Sequence, residues 1–320
     1  MQPYKENKII IIILNWNGKE NILECLHSLE KINYKNFEII VVDNYSTDGS
    51  IEEIKQFINN NSKLSISLIC NDENLGFAKA NNIAIKQTIQ NSADYILLLN
   101  NDTVVSENFL QKLNQFVIEH PDYEVITPQI RYYKPDNIIW NCGGKINKWG
   151  IKKYYYANKP SDSLPDKNFI EITFVTGCAM MIKKEIILKY GLLSEDFFFG
   201  EEDIEFSLRL KKHNVKMACV LTSIIYHKVS SSVDKISDST IGKVFIHYLN
   251  RFINMKKYLS PVKWHLWRLV YLSYIIFLLK FRHKIKIKSL LNFSITLLKE
   301  SKHLNNIDKQ TFDKYFSFKF

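Results

Sequence analysis

The sequence predicts an α/β protein, a mostly parallel sheet flanked by helices, with a helical extension at its C-terminal end. Three observations carry that expectation. Short β-branched apolar runs alternate with segments of helical period through roughly the first 100 residues, the spacing that parallel strands and their crossover helices require. Each run stops abruptly at Asn, Asp or a turn, and an open α/β sheet takes its ligands at such strand ends. Past about residue 250 the alternation gives way to a chain crowded with apolar, aromatic and basic residues.

Taken in order, Lys8 to Leu14 is a run of strand length closed by Asn15-Trp16-Asn17-Gly18, and Asn21 to Leu29 places Ile22, Leu23, Leu26 and Leu29 at helical intervals. Phe37 to Val42 reads as a second buried strand. It ends in Asp43-Asn44-Tyr45-Ser46-Thr47-Asp48-Gly49-Ser50, whose Ser, Thr and Asp side chains can cap a helix over Ile51 to Asn59. Leu64 to Cys70 is a third strand and Ala78 to Thr88 a third helix. The strand Tyr95 to Leu99 carries four apolar residues in a row, the mark of burial on both faces, and halts at Asn100-Asn101-Asp102. Between Arg131 and Asn168 three Pro and three Gly punctuate a segment expected to be irregular. Ile170 to Val175 resumes as a strand, Phe206 to His213 as a helix, and Val215 to Ile225 as a last strand region with His227 just past its end.

Hydrophobic and charged contents of 46% and 24% are those of a folded chain without disordered bias. The net charge of +10 resembles a nucleic-acid signal until it is located: from Arg251 onward 15 Lys/Arg face 3 Asp/Glu, so the charge belongs to a tail. There the basic residues interleave with a long apolar run instead of covering a polar face, and no nucleic-acid partner is expected. Cys25, Cys70, Cys142, Cys178 and Cys219 are scattered and never paired as CxxC, which predicts free thiols in a reducing cytoplasm. The N-terminal apolar run, Ile9 to Leu14, is short and lacks the cleavage site of a signal peptide.

In the tail, Trp264 to Phe281 is nearly all apolar or aromatic and is followed by Arg282-His283-Lys284-Ile285-Lys286-Ile287-Lys288. Its uninterrupted core, Leu269 to Leu279, falls short of the roughly 20 residues that span a bilayer. With two Trp and a basic cluster at its ends, it suits a helix lying in the interface of an anionic membrane. A helix packed in the core, its cations simply solvated, would carry the same composition.

The polar strand ends define the candidate site. Asn15, Asn17, Asp43 and Asn44 offer the amides and carboxylate that can read a pyrimidine edge and a ribose hydroxyl. Gly76 lets the backbone approach a ligand, and Asn74 and Asn81 add polar contacts. Asp102, flanked by the amides Asn100 and Asn101, suits a hard divalent cation that also takes phosphate oxygens. Asp203, with Glu202 beside it, opens a helix and can act as a general base; an acidic helix start favoured by the macrodipole has the same composition. His227 fits a structural role at a strand end and a ligand role equally. Trp140, Gly143 and Gly144 can shape a sugar pocket or simply pack, and Gly177 lies in a Thr-Gly-Cys turn expected near the donor sugar.

The ordered set Asn15-Trp16-Asn17-Gly18, Val42-Asp43-Asn44-x-Ser46-Thr47-Asp48-Gly49-Ser50, Asn74-x-Gly76-Phe77-Ala78-x-Ala80-Asn81-Asn82, Leu99-Asn100-Asn101-Asp102 and Glu202-Asp203-x-Glu205 resembles the signature of family 2 glycosyltransferases, most closely their rhamnosyltransferase-like bacterial branch. The resemblance implies a GT-A fold over residues 1–230, with a nucleotide-sugar-binding half to about 128 and an acceptor half after it; the composition of the tail makes 231–320 a membrane-associating extension. It also implies a nucleoside-diphosphate sugar donor and inversion at the anomeric carbon, with Mg2+ or Mn2+ as cofactor. By the same resemblance Asp43 binds the nucleoside, Asp102 the metal with His227 completing its site, and Asp203 is the catalytic base. Asn100 stands where the family often has Asp, so the cation is expected to arrive with the donor. Phe252 replaces an Asn frequent in related chains, which leaves its neighbour Arg251 without an assigned role.

The expected enzyme is then a peripheral one at the cytoplasmic face of a bacterial membrane. It moves a sugar, rhamnose being the first choice, to a glycan or lipid-linked acceptor, with a second copy of the chain as a further candidate partner. Two alternatives share the fold. A sugar-1-phosphate nucleotidyltransferase would need a glycine-rich basic loop after the first strand, which Asn15-Trp16-Asn17-Gly18 lacks. A membrane-attached scaffold without turnover is opposed by the intact Asp43, Asp102 and Asp203.

Overall fold

A computed structural model describes residues 6–90, 92–147, 149–229 and 241–318. These divide into two compact units, the first drawn from 1–146, 152–193 and 203–229, the second from 147–151, 194–202 and 230–320. The boundary expected at 230 falls outside the described residues.

In the first unit β1 (Ile9–Asn15), α1 (Lys19–Leu29), β2 (Phe37–Asp43), α2 (Ser50–Asn60), β3 (Ile66–Cys70), α3 (Phe77–Ile89) and β4 (Tyr95–Asn100) alternate as the sequence predicts. After them come β5 (Thr103–Val105), α4 (Phe109–Glu119), β6 (Tyr123–Tyr132), β7 (Ile139–Asn141), β8 (Gly144–Ile146), β9 (Lys152–Tyr154), β10 (Phe169–Ile172), β11 (Ala179–Lys183), α5 (Lys184–Tyr190), α6 (Glu202–Lys212) and β12 (Lys216–His227). The main sheet runs β10-β12-β6-β11-β4-β1-β2-β3, with β5 on β12 and β7 on β6. Strands β1, β2, β3 and β4 pair in parallel, and β12 pairs in parallel with β6. Only β11 separates β6 from β4, antiparallel to both. The carboxyl ends of β1, β2, β4 and β12 therefore open on one edge of the sheet, together with the start of β11.

The isoleucine run of β1 explains the layering. Ile9, Ile11 and Ile13 enter a core closed by α1, α2 and α4, while Ile10 and Ile12 enter one lined from α3, α5 and α6. All five are at most 1% exposed, and each buried Ile contributes about 1.5–3 kcal/mol.

Several boundaries depart from expectation. β11 and α5 were not foreseen, because Ala179, Met180 and Met181 have little intrinsic strand preference and it is pairing between β4 and β6 that extends them. The segment from Arg131 to Asn168 is not wholly irregular: β7 pairs with β6, and β8 with β9. The strand expected through Val175 ends at Ile172, since Thr173 and Phe174 turn their N–H groups onto the Gly144 carbonyl. α6 begins at Glu202, four residues early. His227 is the last residue of β12, where it pairs with Thr103 and Tyr132.

The second unit holds α7 (Ile241–Tyr258), α8 (Pro261–Phe277), α9 (Ile287–His303) and α10 (Lys309–Phe316). α8 starts with Pro at its first turn, and a π-helical turn carries it on. The stretch Pro261–Phe281 makes 21 residues, long and apolar enough to cross a membrane by length and composition, with 33% of it buried. This is longer than the apolar run suggested; of the two polar residues that break the run, Arg268 is buried and His265 exposed. Arg268 lies over the Trp264 ring and donates Nη1 to the Leu298 carbonyl at 3.0 Å and to Ser301 Oγ at 3.1 Å. The Trp pair, read from sequence as interfacial, is core instead: Trp264 and Trp267 are each 3% exposed, and their indoles donate to the carbonyls of Phe252 and Trp149.

Candidate active site

Asn15, the last residue of β1, is the hub of the first strand ends. Fully buried, it donates Nδ2 to Asp43 Oδ2 at 2.9 Å and accepts from Asn101 Nδ2 at 2.7 Å, joining the ends of β1, β2 and β4. Asp43 is equally buried, and its second oxygen accepts the Ser46 N–H at 2.8 Å. Asn17, exposed, accepts the Thr47 N–H at 2.7 Å and so ties the loop after β1 to the loop after β2.

Asn44, read from sequence as a ligand contact, has its side chain bonded throughout to the scaffold. Asn44 donates to Asn74 Oδ1 and the Gly76 carbonyl and accepts from Asn71 Nδ2 and the Leu75 N–H, which uses all four of its hydrogen-bonding positions. Its work is to shape the loop that carries Asn74 and Gly76. Asn81, 1% exposed, donates back to the Phe77 carbonyl of its own helix.

At the end of β4 the chain turns through Asn100, whose carbonyl accepts from Thr103 Oγ1 at 2.7 Å, and so presents Asp102 beside the end of β12. Both Asp102 carboxylate oxygens stand 3.1 Å from His227 Nε2. Asp102 Oδ1 and His227 Nδ1 are buried without a hydrogen-bond partner among the described residues. Trp140 walls the pair, its ring 4.4 Å from the His227 ring. Among the described residues no group of three His, Cys, Asp or Glu gathers around a point, and Asp102 and His227 are the pair that would hold a cation here. They fit a divalent cation: neighbouring corners of an octahedron with arms of about 2.1 Å lie roughly 3 Å apart.

Across the same edge, the Asn100 N–H donates to the Cys178 carbonyl at 2.9 Å, and the Gly177 N–H donates to Asp203 Oδ2 at 3.2 Å. Asp203 lies in the first turn of α6 and is half-buried. The Glu202 carboxylate accepts the N–H groups of Gly200 at 2.8 Å and Glu201 at 2.9 Å, and the residue is 4% exposed. Gly143 and Gly144 serve the β8–β9 hairpin, where a Cβ on Gly143 would meet Ile172 and one on Gly144 would strike the Lys153 carbonyl oxygen.

The two thiols near Asp102 are poor nucleophiles. Burial pushes Cys25 up to about 12 and Cys178 well above the usual thiol range, with the Asp102 charge adding to both.

A sequence model described as Glycosyl transferase family 2 matches residues 10–191. The chain belongs to glycosyl transferase family 2. It is a glycosyltransferase of GT-A fold, and the matched span contains β1 to β4 with their polar ends. Among curated relatives of this glycosyltransferase, the low-salt glycan biosynthesis hexosyltransferase Agl10 of Haloferax volcanii is 23% identical over 256 residues, 76% of this chain and 74% of the relative. The dTDP-rhamnosyl transferase RfbF of Shigella flexneri is 21% identical over 264 residues, 80% and 82% of the two chains. Among solved structures, the mannosyltransferase PcManGT from Pyrobaculum calidifontis, in complex with GDP-Man and Mn2+, aligns with a TM-score of 0.59 at 13% identity. The alignment covers 94% of this chain and 76% of that one.

Two residues of this family 2 site were not singled out by residue type. Trp16 is 56% exposed beside Asn15 and Asn17, a flat ring at the strand edge. Gly18 lies so close to the Asn15–Asn101 pair that a Cβ there would strike Asn101 Nδ2. Exposure of a large aromatic is a signal for Trp16, but only once burial is known.

Proposed function

We propose that the chain is an inverting, divalent-metal-dependent glycosyltransferase that moves a sugar from a nucleoside diphosphate to a glycan or lipid-linked acceptor at the cytoplasmic face of a membrane. The reading rests on one observation. The Asp102–His227 pair and the Gly177–Asp203 contact meet at a single sheet edge, bridged by the hydrogen bond from Asn100 to Cys178.

In this reading Asp43, held by Asn15 and Ser46, receives the nucleoside, and Trp16 and Asn17 border it. Asn74, Gly76, Asn100 and Asn101 contact the remainder of the donor. Asp102 and His227 hold Mg2+ or Mn2+, which supplies positive charge to the departing diphosphate. Asp203 takes the proton from the acceptor hydroxyl as that oxygen attacks the anomeric carbon, and the Gly177 N–H holds one carboxylate oxygen so that the other faces the hydroxyl. Trp140 closes the metal side against water. Glu202 serves the turn before α6, with no proton to move. Likeness to RfbF makes dTDP-rhamnose the first donor to try, and likeness to PcManGT makes GDP-mannose the second.

The test is release of nucleoside diphosphate from a panel of nucleotide sugars in Mn2+ or Mg2+. One donor should be consumed, and a chelator should stop it. Asp203→Asn should keep donor binding and lower turnover about 10²–10⁴-fold. Unchanged turnover would put the base elsewhere, and no release from any donor would remove the reading.

A further inference from the structure

The second unit contains a buried ion pair that the reaction above does not use. Arg251 Nε donates to Glu201 Oε1 at 2.6 Å, with the two side chains 2% and 0% exposed. Asn254 donates Nδ2 to the same oxygen at 2.9 Å, and Arg251 Nη1 donates to the Gly150 carbonyl. Asn250 donates Nδ2 to the Phe199 carbonyl at 2.9 Å. Positions 250, 251 and 254 lie on one face of α7, and together they grip residues 199 to 201.

The gripped segment needs a grip. Gly200 sits at φ 106°, a conformation that side-chain-bearing residues avoid, and its N–H turns back onto Glu202. Glu202 is the first residue of α6 and Asp203 the second, so the backbone of 200–202 sets the position from which the Asp203 side chain departs.

We propose that Arg251 and Asn254 are positioning residues for the catalytic base, holding Glu201 so that Asp203 leaves the helix start in one geometry. This rests on Asp203 being that base. A buried charge pair is a costly tie for a loop, and apolar side chains of similar volume often hold a fold as well or better. What the pair adds is direction: Arg251 Nε and Asn254 Nδ2 converge on one carboxylate oxygen while Nη1 of the same rigid, planar guanidinium is tied to the Gly150 carbonyl, which permits little sliding. Displacing a catalytic group by an ångström costs roughly 10²-fold in rate.

The full chain carrying Arg251→Met with Glu201→Leu separates packing from positioning. Its melting curve should stay close to that of the unsubstituted chain, while hydrogen exchange quickens at 199–203 and stays unchanged in α8 and α9. Its kcat on the active donor should fall roughly 10²-fold with donor KM held within about twofold. Arg251→Lys, which keeps the charge but not the fork, should recover part of that loss. Unchanged kcat in the double variant overturns the proposal, and so does exchange that quickens throughout α7 to α9, which would mark a merely structural pair. The base assignment is read apart from this: if Asp203→Asn turns over normally while 199–203 loosens as stated, the clamp stands and the base lies elsewhere. Were no donor consumed at all, the exchange result would decide alone, with unaltered exchange at 199–203 overturning the clamp.

Discussion

Asn15 shows how a single amide can organise a site. A carboxylate at its position would face the buried Asp43 at hydrogen-bonding distance with like charge; an amide donates to Asp43 and still accepts from Asn101. The exposed Trp16 next to it offers a surface for a nucleobase, and stacking of this kind is worth about 1–3 kcal/mol. Trp16→Ala should therefore weaken nucleoside diphosphate binding roughly 10- to 100-fold in a calorimetric titration, and unchanged affinity would take the base off this ring. Asp102→Ala should remove the metal dependence of the same titration, since His227 alone cannot hold a hard cation. Cysteine chemistry divides as cleanly. Cys70 is exposed while Cys25, Cys142, Cys178 and Cys219 are buried, so a thiol reagent should find one fast group per native chain. A second fast thiol would mean that the core opens more readily than its packing implies.

Among the elements, the β8–β9 hairpin is held through Gly144, whose backbone bonds residues 173 and 174 while it lies against Lys153. Gly144→Ala should cost about 1–3 kcal/mol in denaturant unfolding, the usual penalty of overpacking. No loss would mean that the hairpin can shift aside. The alternation β1 to β4 was legible because β-branched runs and helical periods seldom have another use. β11 was not, since its residues have weak strand preference and only the gap between β4 and β6 makes them a strand. For the same reason the Thr176-Gly177-Cys178 turn could be suspected near the donor, but its hydrogen bond to Asp203 is a product of folding.

On the scale of the whole molecule, the basic tail and its apolar surface belong to the second unit. Val262, Leu266, Leu269, Val270, Phe277 and Phe281 on α8 and the turn after it are 56–72% exposed, with Lys284, Lys286 and Lys288 exposed close behind. Such a surface favours an anionic bilayer, with contact lying in the interface. The full chain should sediment with phosphatidylglycerol vesicles more than with phosphatidylcholine ones, and added salt should weaken the attraction. Replacing Leu266, Val270 and Phe277 by Ser should release it. Undiminished sedimentation of that triple variant would sink the membrane assignment for α8.

The sequence alone determined the parallel half of the sheet, the order of the polar strand ends and the family, because apolar periodicity and turn chemistry are local properties that survive being read one residue at a time. Tertiary structure decided which polar residues remain for a ligand and which are consumed by the fold. Asn15, Asn44 and Glu202 read much like Asn74 and Asp203, and only packing shows their side chains taken up by neighbouring strand ends and loops. It likewise turned Trp264, Trp267 and Arg268 inward and left Val262, Leu266, Leu269, Val270 and Phe277 outside. A side chain's partners lie far along the chain, and their distances exist only once it has folded.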